Sequence, residues 1–252
     1  MSAPPTLTAA VLARDEERNL PDCLTSLSFA DEVLVLVDSA TRDQTRQVAL
    51  AYSARVEEQP FENFASQRDA GLRLASGEWV LFVDADERVT PSLRDEVLGR
   101  IAVPAGCRGF WIPRVNYLMG REVRYAGWYP DHQLRLLERT AAHFDPARVV
   151  HELAVVDGPV GYLDAPLIHH NYRSLREFVS KQERYCHLDA QRWLETHGRP
   201  RLRAVVGQPL REFWRRFVTL SGYREGLLGL VLSALLAWYA GKAVWLARQA
   251  VP

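Results

Sequence analysis

Four short apolar runs set the rhythm of the front of the chain. LTAAVLA (7–13), EVLVLVD (32–38), ARVEE (54–58) and EWVLFVD (78–84) are separated by RNLPDCLTSLSF (18–29), RDQTRQVALAY (42–52) and NFASQRDAGLRLA (63–75). The runs are mostly continuous rather than alternating, as strands covered on both faces are, and the segments between them read as helices. Strand–helix repetition of this kind predicts a doubly wound, mainly parallel sheet. Ligands of such sheets bind beyond the carboxyl ends of the strands, and Asp15, Asp38 and Asp84 each fall at such an end.

TPSLRDEVLGRIA (90–102) reads as a further helix with Thr90 as its N-cap. Over residues 109–170 the pattern changes to short strand-like pieces, GFWIPRVNY, HQLRLLE and ELAVV, parted by Gly, Pro and Asp. That texture predicts mixed or antiparallel pairing. From Ser174 onward the pattern is helical with Arg-rich faces, and HGRPRLRAVVGQP (197–209) is the best candidate for a break. GLLGLVLSALLAWYAG (226–241) runs 16 residues without a charge, short of the roughly 20 that span a bilayer. It reads either as a buried hairpin helix or as a helix lying in the membrane plane. The expected organisation is a sheet domain over 1–172 and a helical extension over 173–252, with a membrane-associating helix over 223–247.

At 252 residues and 48% hydrophobic, the chain can bury a full core as one large domain or a domain with an appendage. Equal totals of basic and acidic residues, 31 each, conceal an asymmetry. Residues 172–252 hold 14 Lys and Arg against 6 Asp and Glu, and the remainder holds 17 against 25. An acidic body with a basic tail points to an anionic membrane surface. RPRLRAVVGQPLREFWRRF strengthens this by mixing Arg with Phe213, Trp214 and Phe217. Nothing in the pattern points to nucleic acid. Cys23, Cys107 and Cys186 are scattered and odd in number, which fits neither a metal site nor a disulfide framework and suggests a reducing compartment. The N-terminus lacks a charged stretch followed by an apolar one, so no signal peptide is expected.

The chemistry gathers in WVLFVDADERV (79–89), where an apolar strand runs into Asp84, Asp86 and Glu87. Carboxylates at i and i+2 just past a buried strand can turn toward one divalent cation. Mg²⁺ or Mn²⁺ prefers oxygen ligands and keeps positions open for phosphate oxygens. Such an ion neutralises charge that develops on a departing diphosphate. The plainer reading is a solvated turn ahead of the next helix.

LVLVDSATRDQT (34–45), ENFASQRDAGLRLASGEWVLFVDADERV (62–89), GWYPDHQLRLLER (127–139) and VHE (150–152) occur in this order. Together they resemble an inverting family 2 glycosyltransferase of the GT-A fold, in the branch that includes the lipopolysaccharide core glucosyltransferases. The likeness runs from Ala10 to the apolar C-terminal helix. It departs from the usual V-D-S-x-S-x-D-x-T motif at Thr41, and at Gln44 where Gly is usual.

The resemblance implies an α/β GT-A (Rossmann-like) sheet with a helical, basic C-terminal extension. It implies metal-dependent transfer, with inversion, of a sugar from a nucleotide-diphosphate donor, in first place a UDP-sugar. The acceptor would be a lipid-linked or cell-envelope glycan at the cytoplasmic face of the inner membrane. Asp38 would hydrogen-bond the base of the nucleotide, with Asp15 and Glu16 lining the same pocket. These acids also read as turn or helix-start residues. Gln67 and Arg68 would meet the donor, Arg68 as a fork on the diphosphate. Asp84 and Asp86 would carry the sugar nucleotide and the Mg²⁺ or Mn²⁺ ion. His169 would be a further ligand, or else a satisfied core histidine, and Glu87 would serve the loop or the acceptor. Asp131 would be the base that deprotonates the acceptor hydroxyl, with Arg135 on the donor side and Glu152 as the fallback base. A Pro-Asp turn is the plainer reading of Asp131. Trp128 and Tyr129 could give a sugar ring a platform.

Two other classes weigh against this reading. A D-x-D phosphohydrolase wants D-x-D-x-[TV] on its first strand, whereas here the motif lies on the fourth and Arg88 follows Glu87. A catalytically inactive GT-A-like scaffold on a membrane would need none of Asp84, Asp86 and Asp131.

Overall fold

The computed structural model describes residues 4–52, 54–145 and 153–250. The chain divides into two compact units, one of residues 1–114 and 132–169 and the other of residues 115–131 and 170–252.

In the first unit, β1 (Leu7–Ala13), β2 (Glu32–Asp38), β3 (Arg55–Gln59) and β4 (Trp79–Asp84) run parallel in the order β3-β2-β1-β4. Every residue of β1 is buried, because β2 and β4 flank it and helices cover both faces. Side chains alternate between two cores, as the strand repeat of two requires. Leu7, Ala9, Val11 and Ala13 enter one, and Ala10 and Leu12 enter the other. Helix α1 (Leu20–Ser26) supplies Leu20, Cys23 and Leu24 to the first core, and α2 (Thr45–Ala51) supplies Ala49. On the opposite face α3 (Phe64–Leu74) brings Ala65, Ala70 and Leu72 against Leu36 and Phe82. A Cβ on Gly71 of α3 would lie 2.9 Å from the Phe82 ring, so the bare glycine sets how closely helix and strand approach.

After β4 come β5 (Glu87–Val89) and α4 (Pro91–Ala102), which adds Leu93, Val97 and Ile101 to the first core. Thr90 caps α4 as expected, accepting from the Leu93 N–H at 3.1 Å. The predicted change of texture is a change of pairing. β6 (Gly109–Leu118), β7 (Arg121–Val123) and β8 (Asp131–Glu138) follow in the chain, then β9 (Ala142–His143), β10 (Val155–Val156), β11 (Val160–Tyr162) and β12 (Leu167–Tyr172). The sheet continues from β4 through β8, β6 and β12 to β5. β8 lies antiparallel to β4 and β12 antiparallel to β5, while β11 pairs with β6 in parallel. β9 and β10 form a separate antiparallel pair. Helix entries come later than the sequence suggests. At α2 the Asp43 side chain accepts from the Thr45 N–H at 2.9 Å, so a local turn replaces the first helical residues.

In the second unit the end of β6 pairs with β7 through Asn116↔Val123, and three long helices follow. Leu118, Val123, Tyr172, Phe178 and Leu232 form its core. Helix α5 (Leu175–His197) is capped by Ser174, which accepts from the Glu177 N–H at 3.2 Å, and it ends at Gly198 with φ 66°. Helix α6 (Leu202–Trp214) continues through Pro209, so the break expected over 197–209 shortens to the few residues after α5. Gly241 of α7 (Gly226–Gln249) leaves room for that proline, since a Cβ there would lie 3.1 Å from Pro209 Cγ. Segment 226–241 is thus part of a 24-residue helix, long and apolar enough by length and composition to cross a membrane. Leu232, Ser233, Ala237 and Val244 face inward, while Leu227, Leu230, Val231, Trp238 and Trp245 are exposed.

Candidate functional site

Parallel pairing of Ala13 with Val37 and of Leu12 with Asp84 carries the ends of β1, β2 and β4 to one rim. Asp84, the last residue of β4, is held by two arginines. Arg135 of β8 grips it bidentately, Nη2 to Oδ2 at 2.5 Å and Nη1 to Oδ1 at 3.2 Å. Arg68 of α3 adds a longer contact to Oδ1 at 3.4 Å. Arg135 is only 4% exposed, against 28% for the Asp84 side chain. Burial alone would raise the Asp84 carboxyl, but Arg135 and then Arg68 outweigh it and hold the group well below the usual carboxylate range.

Glu87 explains how the turn keeps its shape. It is fully buried, and it accepts from the Asp84 N–H at 2.9 Å and from Arg114 Nη1 at 3.1 Å, with Arg135 at 3.8 Å. Glu87 therefore holds the loop. Arg88 closes the turn from outside by donating to the carbonyls of Ala85 at 3.0 Å and Asn19 at 2.9 Å. Cys23 lies under the same turn, and burial pushes its thiol far up, so it behaves as a small apolar residue. Sequence reasoning missed Arg114. It sits 27 residues from Glu87 on β6, a strand whose local pattern carries no mark of that contact.

Asp86 projects from the turn between β4 and β5, and His169 enters beside it on β12 through the pairing of His169 with Glu87. His169 Nε2 lies 3.4 Å from Asp86 Oδ2. Among the described residues no three His, Cys, Asp or Glu side chains gather into a cation-binding cluster. Of the expected set Asp84, Asp86 and His169, Asp86 and His169 meet each other, while both oxygens of Asp84 accept from Arg135.

Asp38 is buried at the end of β2, where it pairs with Arg14 at 3.0 Å and accepts from the Ala40 N–H at 3.0 Å. Asp15 takes φ 54° and accepts from the Arg42 N–H at 2.8 Å, fastening the loop after β1 to the loop after β2. Glu16 accepts from Asn19 Nδ2 at 2.6 Å, while its own N–H donates to Thr45 Oγ1 at 2.8 Å. These bonds make a tight double loop beside the rim. Gln67 is buried on α3, and its amide nitrogen meets no acceptor among the described residues.

Asp131 opens β8 in the second unit, directly after the cis Tyr129–Pro130 bond. Trp128 packs edge-on to Tyr172 against that unit's core, and Arg124 lies over one face of the Tyr129 ring at 5.1 Å. Glu152 and its VHE segment lie outside the described residues.

Residues 8–148 match the family described as glycosyl transferase family 2. The lipopolysaccharide core biosynthesis glycosyltransferase LpsC of Rhizobium meliloti (strain 1021) is 29% identical over 245 residues, which is 93% of this chain and 88% of LpsC. Among solved structures, S. aureus TarS 1–349 in complex with UDP superposes with a TM-score of 0.52 at 16% identity, over 97% of this chain and 92% of that one. The mannosyltransferase PcManGT of Pyrobaculum calidifontis, in complex with GDP-Man and Mn²⁺, gives 0.52 at 15% identity, over 100% of this chain and 77% of that one. At such identities the structural likeness speaks for the fold. With the family's pattern covering more than half of its length, this chain belongs to glycosyl transferase family 2 and is a glycosyltransferase of the GT-A fold.

Proposed function

We propose that the enzyme takes a sugar from a nucleotide-diphosphate donor, a UDP-sugar, and transfers it with inversion to a lipid-linked or cell-envelope glycan. The rim carries this reading: an arginine-locked Asp84 beside the Asp86–His169 pair. In the reading, Asp38 and the loop holding Asp15 and Glu16 receive the base, and Gln67 offers its amide N–H to the donor. Arg135 serves the donor through Asp84, which it fixes in place. Arg68, with its longer hold on Asp84, can turn part of its fork to the diphosphate.

A carboxylate oxygen and an imidazole nitrogen 3.4 Å apart are donors that Mg²⁺ or Mn²⁺ accepts, and two protein ligands leave positions for diphosphate oxygens. Asp86 and His169 therefore fit the cation that the family implies. When bound, it supplies charge neutralisation for the leaving diphosphate. The chain's own task is proton transfer. Asp131 takes the proton of the acceptor hydroxyl as that oxygen attacks the anomeric carbon from the face opposite the diphosphate.

The helical extension over 173–252 supports a site at the cytoplasmic face of an anionic membrane. Leu202, Val206, Leu210 and Trp214 recur every fourth residue along α6 and are all exposed, as are Trp238 and Trp245 on α7. Arg201, Arg203, Arg211 and Arg215 flank the α6 stripe. Apolar faces bordered by guanidinium groups suit a helix pair lying in the headgroup region. Transfer from a UDP-sugar to glycan-bearing envelope extract, with NMR of the new linkage, tests the reaction. The product should have the anomeric configuration opposite to the donor's, and a retained configuration would rule out the single-base route.

A further inference from the structure

The loop that precedes Asp131, residues 124–130, is tied over its first three residues to the segment joining α6 to α7. Glu225 Oε1 accepts from the N–H groups of Arg124 at 2.9 Å and Tyr125 at 3.0 Å. The next residue is held from both sides. Ala126 donates its N–H to the Leu220 carbonyl at 2.9 Å, and its own carbonyl accepts from Arg216 Nη1 at 2.9 Å. Asn116 then donates to the Trp128 carbonyl at 2.9 Å. Ala126 and Gly127 lie in the left-handed region, with φ 60° and 85°. An alanine stays there only where its surroundings impose it.

The imposing surroundings come from this same segment. A Cβ on Gly222 would lie 2.7 Å from the Arg216 carbonyl and 3.1 Å from Ala126 Cβ, and one on Gly229 would lie 1.9 Å from the Gly222 carbonyl. Both glycines let the turn between the helices close onto the loop. Glu225 is 6% exposed. A carboxylate is costly to bury unless N–H groups satisfy it. A helix start that only needed covering would be served by an apolar residue.

We propose that Glu225 is a positioning residue for the acceptor step: it fixes the loop that delivers Asp131, so the C-terminal helices take part in transfer as well as in docking. The proposal rests on the reading of Asp131 as the base. It is tested in the full chain by UDP-glucose hydrolysis with Mn²⁺ and water as the acceptor, alongside UDP affinity by calorimetry. Glu225→Ala should lower kcat by about 10²-fold, the cost of a roughly 1 Å misplacement, with UDP affinity unchanged. Glu225→Gln keeps an amide oxygen able to accept both N–H groups and should restore turnover. Arg216→Met, which frees the Ala126 carbonyl and leaves Glu212 with Arg215 alone, should lose turnover in the same direction and stands in if Glu225→Ala fails to fold. If Glu225→Ala turns over like wild type while Asp131→Asn is dead, the positioning role is wrong. It is equally wrong if Glu225→Ala loses UDP affinity in step with turnover. Wild-type turnover by Asp131→Asn would instead overturn the base assignment.

Discussion

Arg135→Met should lower the melting temperature by several degrees, because it empties the centre of a buried charge network. Arg135 grips both oxygens of Asp84 and stands 3.8 Å from the fully buried Glu87. Removing one member of a buried ion pair costs about 3–5 kcal/mol, since the remaining charge is left uncompensated. Here Arg68 keeps a 3.4 Å hold on Asp84, and Arg114 keeps a 3.1 Å hold on Glu87. The lower end, about 3 kcal/mol, is therefore expected. For a chain of this size each kcal/mol moves Tm by about 2–4 °C, which gives a fall of about 6–12 °C. Scanning calorimetry of Arg135→Met, Asp84→Asn and the double variant closes a cycle. The pair should show a coupling of about 1–3 kcal/mol, and Asp84→Asn should cost less once Arg135 is gone. Arg135→Lys should recover only part of the loss, because one ammonium cannot grip two oxygens side by side. A Tm within about 2 °C of wild type, or additive effects in the cycle, would refute the network as the support of Asp84.

Asp131→Asn should leave UDP affinity intact and reduce turnover by about 10²–10⁴-fold, the usual contribution of a positioned base, as measured by single-turnover kinetics. Trp238→Glu combined with Leu210→Glu should abolish flotation with phosphatidylglycerol liposomes. Wild-type binding should weaken with salt, each surface Arg contributing about 1 kcal/mol at low ionic strength; equal flotation by both proteins contradicts the docking face. Burial raises the Glu212 carboxyl, but the bonds from Arg215 and Arg216 bring it below its ordinary value of 4.5. Its contribution is thus present above that value and fades as pH falls through the lower folded one. Glu212→Gln should be less stable than wild type by about 1 kcal/mol in urea unfolding at pH 7, and the gap should narrow as pH falls below 4.5 and through the lower folded value.

Strands β1, β2 and β4 were legible because they are buried along most of their length and so read as apolar runs, whereas β3, an edge strand with no buried residue, was legible only from its place in the strand–helix alternation. Asp84 and Asp86 were legible because acids directly after such a run break the pattern. The roles inside the turn were not. Asp84 appears in sequence as a cation ligand, and nothing local announces the long-range grip of Arg135, 51 residues on. Arg114 gave no signal for the same reason. Antiparallel insertion of β8 beside β4 was also hidden, since an apolar strand does not encode its neighbour. Residues 115–131 looked continuous with the sheet. Instead Leu118, Val123 and Trp128 join Phe178 and Leu232 in the second unit's core, through contacts that no local periodicity records.

Calorimetric titration of UDP with and without Mn²⁺, in wild type and in Asp86→Asn, bears most directly on the donor site. Asp84 and Asp86 repel a diphosphate unless a cation intervenes, so wild type should bind UDP with Mn²⁺ and far more weakly without it. Asp86→Asn should lose that metal-dependent gain while melting within about a degree or two of wild type. UDP affinity that is indifferent to Mn²⁺ in wild type, or a metal-dependent gain that survives in Asp86→Asn, would contradict the account.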